Sequence, residues 1–99
     1  MDKTLTLEFT YGPKNYYAIV RTKTNKGEKQ YYITIMNGDL ERLLYGHHVI
    51  AEQDGVLQPL TAVSKTEVAE LRNCILMALY HHLEANGFSL SLHGYSKLN

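Results

Sequence analysis

A helix with both ends marked constrains this chain more than any other feature. Ser64-Lys65-Thr66-Glu67 opens it and Asn86-Gly87 closes it, with no glycine or proline between. A serine followed three residues later by a glutamate forms a capping box, in which each side chain accepts from a backbone N–H that the first turn leaves unpaired. Gly87 takes the left-handed conformation that ends a helix without a Cβ clash. At roughly 100° per residue, Val68, Leu71, Ile75, Ala78, Leu79 and Leu83 gather on one broad face. Lys65 and Leu76 flank that face on one side; Glu67, Cys74 and Ala85 flank it on the other. Asn73, Met77, Tyr80 and Glu84 point away. So long an apolar face needs a sheet to cover it, and the residues before Ser64 read mainly as short strands.

The first of these strands has Leu5, Leu7, Phe9 and Tyr11 alternating with Thr4, Thr6, Glu8 and Thr10, the pattern of a strand with one wet face. Gly12-Pro13-Lys14-Asn15 is a turn, Tyr16 to Thr24 a second strand, and Asn25-Lys26-Gly27-Glu28 a second turn. Tyr31, Ile33 and Ile35 alternate with Tyr32, Thr34 and Met36 in a third strand. Such short turns force neighbouring strands to run antiparallel, giving a meander. Asn37-Gly38-Asp39 starts a short helix with Leu40, Leu43 and Leu44 on one face and Gly46 as its stop; a hairpin through Asn37-Gly38 is the alternative. His48 to Gln53 and Val56 to Leu60 flank Asp54-Gly55, a favoured two-residue hairpin signal, and Pro59 puts the second strand at an edge or near its end. Phe88-Ser89-Leu90-Ser91-Leu92 alternates again and can add a last short strand.

The expected fold is therefore α+β: a mostly antiparallel sheet, a β-meander plus a hairpin, packed against one long C-terminal helix, with a short helix between strands 3 and 4. Residues 1–99 read as a single α+β domain. A chain of this size hides roughly two-thirds of its unfolded surface without disulfides or metal. A formal net charge of zero argues against a generally basic nucleic-acid binder. One cysteine, Cys74, excludes an internal disulfide and fits a reducing compartment. Met1-Asp2-Lys3-Thr4 leads into alternating residues rather than a signal-peptide core, and the apolar run from Cys74 to Tyr80 is far too short to span a bilayer. A soluble cytoplasmic protein with no membrane partner is expected.

No residue pattern points to catalysis. Adjacent histidines on a helix, such as His81 and His82, diverge by about 100° and do not share one metal. His47, His48 and His93 complete the set, with neither a His-Glu-x-x-His pattern nor a cysteine pair. Cys74 lies mid-helix, where no helix N-terminus lowers its pKa, and reads as a small buried hydrophobe. Ser89, Ser91 and Ser96 lie near His93 without a nucleophile elbow, and the glycines form no phosphate loop. No catalytic residue, cofactor or metal is assigned, and an enzyme is not favoured.

Charge is distributed unevenly. From Gly12 to Lys29, five bases (Lys14, Arg21, Lys23, Lys26, Lys29) oppose Glu28; from Asp39 to Glu84, seven acids oppose three bases. The two stretches carry net charges of about +4 and −4. Tyr16, Tyr17, Tyr31 and Tyr32 border the basic hairpin, and adjacent tyrosines on a strand face opposite ways, so one of each pair belongs to the core. The expected function is a non-enzymatic protein-interaction or accessory domain, a homodimer or the partner of another protein, through Leu76, Met77 and Tyr80. The alternative is a nucleic-acid-binding module in which Lys14, Tyr16, Arg21, Lys23, Lys26 and Lys29 contact phosphates and bases. A metal-dependent activity of the histidines is a further alternative.

Overall fold

The computed structural model describes residues 3–87 and the short strand Ser91–Leu92. Strand β1 (Lys3–Tyr11) turns through Gly12-Pro13 into β2 (Lys14–Asn25), and β2 turns through Lys26-Gly27 into β3 (Glu28–Ile35). Both central residues of the second turn have positive φ, 52° at Lys26 and 85° at Gly27, the mirror-image turn whose twist matches that of the flanking strands. The registers run from Lys3↔Thr22 to Tyr11↔Lys14 and from Ala18↔Ile35 to Asn25↔Glu28, without a slip.

After β3 the chain enters helix α1 (Gly38–Leu44). The Asn37 side chain caps it by accepting from the Leu40 N–H at 3.0 Å, and the Glu41 carboxylate accepts from the Ile35 N–H at 2.7 Å. The short helix expected after strand 3 is thus present, held at both ends of its first turn. β4 (Val49–Gln53) and β5 (Val56–Pro59) form the hairpin through Asp54-Gly55, and Pro59 is the last residue of its strand. Helix α2 (Thr66–Ala85) follows, and β6 (Ser91–Leu92) pairs parallel to β5. The sheet order is β1-β2-β3-β4-β5-β6, antiparallel up to β5. Phe88 to Leu90 of the expected last strand, and the whole of His93 to Asn99, lie outside the described residues.

Alternation sorts each strand. Leu7, Phe9, Ala18, Val20, Tyr31, Ile33, Ile50 and Leu57 are buried on the face that meets α2. From α2 itself, Val68, Leu71, Ile75, Leu79 and Leu83 are buried, as the helical angles require, while Ala78 is half-buried. Each buried leucine or isoleucine contributes about 1.5–3 kcal/mol. α2 packs along β1, and α1 packs on α2 and β3.

The structure corrects the expected start of α2. Its N-cap is Lys65, without a side-chain cap bond, and the first helical residue is Thr66. Ser64 therefore precedes the cap and Glu67 stands one position too early, so the capping box does not form. The preceding loop is fixed instead from inside the helix, where Arg72 donates to the Thr61 carbonyl at 2.7 Å and to its hydroxyl at 3.0 Å. The other end is as expected: Gly87 has φ 91° and its N–H reaches the Glu84 carbonyl at 3.1 Å.

Candidate interaction surfaces

The helices cover one face of the sheet, and the other face carries the first candidate surface. Tyr16 turns inward and stacks on Phe9 with ring centroids 5.8 Å apart, whereas Tyr17 is 50% exposed on the outer face. Tyr31 is buried and Tyr32 lies outside, half-buried. The cross-strand pair Arg21↔Tyr32 then places cations on an aromatic ring. Lys23 Nζ lies 5.2 Å and the Arg21 guanidinium carbon 5.9 Å from the Tyr32 centroid, within reach of a cation–π attraction. The Tyr32 hydroxyl donates to Gln30 at 2.6 Å, and the His48 ring tilts against Tyr32 at 6.4 Å.

This face brings together Arg21 and Lys23 of the sequence-derived basic set, with Lys26 exposed in the adjoining turn. It does not include the others. Tyr16 is packed against the core, and Lys14 follows the same inward parity opposite Tyr11. Lys29, opposite Thr24 and Glu52, is on the helix-facing side and half-buried. Tyr17 and Tyr32 take the place that Tyr16 was expected to hold.

A second candidate surface lies along the outer side of β1, against which no strand pairs among the described residues. The two-residue turn makes Tyr11↔Lys14 a closing pair that exchanges both backbone bonds. By alternation Lys3, Leu5, Leu7, Phe9 and Tyr11 bond to β2, leaving the N–H and C=O groups of Thr4, Thr6, Glu8 and Thr10 directed outward. The side chains at the turn are already engaged, since Thr10 donates to Asn15 at 2.7 Å and Asn15 donates to Glu8 at 3.1 Å.

Beside this edge runs a groove of about 610 Å³ between β1 and α2, lined chiefly by Phe9, Tyr11, Glu70, Cys74, Met77 and Ala78. α2 runs antiparallel to β1: Glu70 and Cys74 lie by Phe9 and Tyr11, while His82 and Leu83 lie by Lys3 and Leu5. Burial, and then the charge of Glu70, pushes the Cys74 thiol up from its ordinary value, so it is no poised nucleophile. The Tyr11 phenol is raised too, by burial first and then by Glu67 and Glu70, which marks this end of the groove as acidic.

Of Leu76, Met77 and Tyr80, expected to form one outward patch, Leu76 does not reach the surface. It is 4% exposed and belongs to the core. Met77 lines the β1 groove; Tyr80 is half-buried against the core and meets His81 edge-on at 5.4 Å. The described histidines are likewise scattered. His47 shares a 2.7 Å hydrogen bond with Thr61, His48 lies on the outer sheet face, and His82 borders Leu5 and Tyr31. No three metal-ligating side chains converge among the described residues, and His93 lies outside them.

The groove was partly visible in the helix angles, which set Cys74 and Met77 beyond the core face. That β1 is an edge strand follows only from the strand order. Among the described residues, no helix is long and apolar enough to cross a membrane. Comparison of the chain with protein-family models, curated proteins and solved structures gives no match.

Proposed function

We propose that this chain is a non-enzymatic protein-interaction domain that engages its partner through the edge of β1. One observation carries the reading. Four of the nine residues of β1, Thr4, Thr6, Glu8 and Thr10, present an outward row of backbone donors and acceptors beside a groove with half-buried Tyr11, Cys74, Met77 and Ala78. An extended polypeptide satisfies both needs at once: its backbone continues the ladder and its alternate side chains enter the groove. The lone cysteine supports a reducing, cytoplasmic setting.

A photo-reactive residue placed at Thr6, with one at Thr34 as control, tests the reading in cells. We expect a protein adduct from Thr6 that mass spectrometry identifies and that purified components reproduce. The absence of any protein adduct at Thr6 would overturn the proposal.

A second reading is favoured by the cluster on the outer face. Arg21 and Lys23 over Tyr32, with Tyr17 exposed on the same face four residues along β2 from Arg21, match the cation-and-ring chemistry that holds single-stranded nucleic acid. It ranks second because the cations already cover the Tyr32 ring, which leaves Tyr17 as the exposed platform.

A further inference from the structure

We infer that the partner of the β1 edge is a second copy of this chain, the two β1 strands pairing antiparallel about Leu7 to join two sheets into one. The inference rests on the interaction-domain reading above and names its partner.

The edge is undefended. Folded monomers blunt exposed edges with proline, bulges or charges that disfavour further pairing. β1 contains no proline, pairs with β2 through all nine residues without a bulge, and has charges only at Lys3 and Glu8. A two-fold contact also requires the surface to complement itself. Centred on Leu7, the pairing sets Thr4 opposite Thr10 and Thr6 opposite Glu8. Those are the residues whose backbone groups point outward, so the ladder closes with alternate exchanged bonds. A centre at Glu8 would oppose two carboxylates, which disfavours that register.

The same register fills the groove. Leu5 of the second copy comes opposite Phe9, over the wall formed by Cys74 and Ala78, and Leu5 is only half-buried in the single chain. Lys3 of the second copy comes opposite Tyr11, at the end of the groove where Glu67 and Glu70 supply negative charge. By symmetry each contact occurs twice. Because α2 runs antiparallel to β1, this pairing sets the Glu70 end of one helix beside the Lys3–Leu5 end of the other copy's strand. A formal net charge of zero adds no overall repulsion between copies.

Sedimentation velocity of the full chain over a concentration series tests this, with circular dichroism to confirm folding. The wild type should reach twice the chain mass. Thr6→Pro removes an outward N–H while sparing every β1–β2 bond, and should be a folded monomer. Lys3→Glu should weaken the dimer about tenfold, and Glu67→Lys with Glu70→Lys added to it should restore association. If Thr6→Pro does not fold, the charge swap decides alone. A wild type monomeric at every concentration overturns the inference, as does a dimer indifferent to Thr6→Pro and to the charge swap. A monomeric wild type whose Thr6 cross-links to a different protein ends the self-pairing while leaving the interaction reading standing; neither dimer nor cross-link ends both.

Discussion

Tyr31 sends its ring into the core and donates its hydroxyl to the Glu52 carboxylate at 2.9 Å. Burial first, then this bond and the Glu52 charge, raises its phenol above the ordinary value of 10.0. Below about pH 10 the tyrosine is neutral in folded and unfolded chains alike, so its contribution to stability is fully present. Above that, the unfolded chain loses the proton while the folded chain keeps it, and stability falls as pH rises toward the folded value. Urea denaturation from about pH 8 to about pH 11 should show a smaller loss for Tyr31→Phe than for the wild type. At neutral pH the same variant should be about 0.5–1.5 kcal/mol less stable, since a hydrogen bond is lost. Parallel losses in the two proteins would place the alkaline titration at other groups. The Tyr31–Tyr32 pair was half legible in the sequence: alternation says that one is inside, and the register, which sets Tyr31 beside Ile50, shows which.

At the scale of elements, the features set by local chemistry were the legible ones. Asn37 caps α1, Asp54-Gly55 turns the hairpin and Gly87 ends α2 because each residue's own backbone preference suffices. The start of α2 was not legible, because Arg72 and Thr61 fix the entering loop from a later turn of the helix. Leu76 escaped for a related reason: helical angles describe one helix against one flat surface, whereas α2 packs on α1 as well as on the sheet. Ile75→Ala or Leu79→Ala should cost about 2–5 kcal/mol, because both side chains are fully buried and truncation leaves a cavity. Lys23→Ala should change stability by at most about 0.5 kcal/mol. Equal, small effects in chemical denaturation would mean that α2 does not anchor the core. Leu76 and Met77 make a sharper comparison, being neighbours with opposite surroundings. Leu76→Glu should unfold the chain by burying an unpaired charge, whereas Met77→Glu should keep the fold and weaken association in light scattering. Two folded variants of equal association would detach the groove from assembly.

In the whole molecule, the helices and the groove lie on one side and the basic, aromatic cluster on the other, so protein and nucleic-acid binding make separable demands. Little of this division was legible, since a charge imbalance along the chain does not say which bases share a face. If the outer face binds single strands, Arg21, Lys23 and Lys26 contact phosphates and Tyr17 stacks on a base. Affinity should then fall steeply with salt as condensed counterions are released. Lys26→Ala should lower that salt slope by about 1 without altering sequence preference. Tyr17→Ala should cost about 1–3 kcal/mol of binding at every salt concentration, because stacking is not screened. Tyr16→Ala is the internal control: Tyr16 stacks on Phe9, so its loss should lower stability rather than remove a contact. Fluorescence anisotropy with short RNA and DNA oligomers, at low and moderate salt, reads all four proteins. Thr6→Pro replaces none of Arg21, Lys23, Lys26 or Tyr17, so it should leave any such binding per chain unchanged while abolishing self-association. Failure to bind at low salt ends the nucleic-acid reading, and salt-sensitive binding lost on charge reversal at Arg21 and Lys23 moves it ahead of the protein-interaction reading.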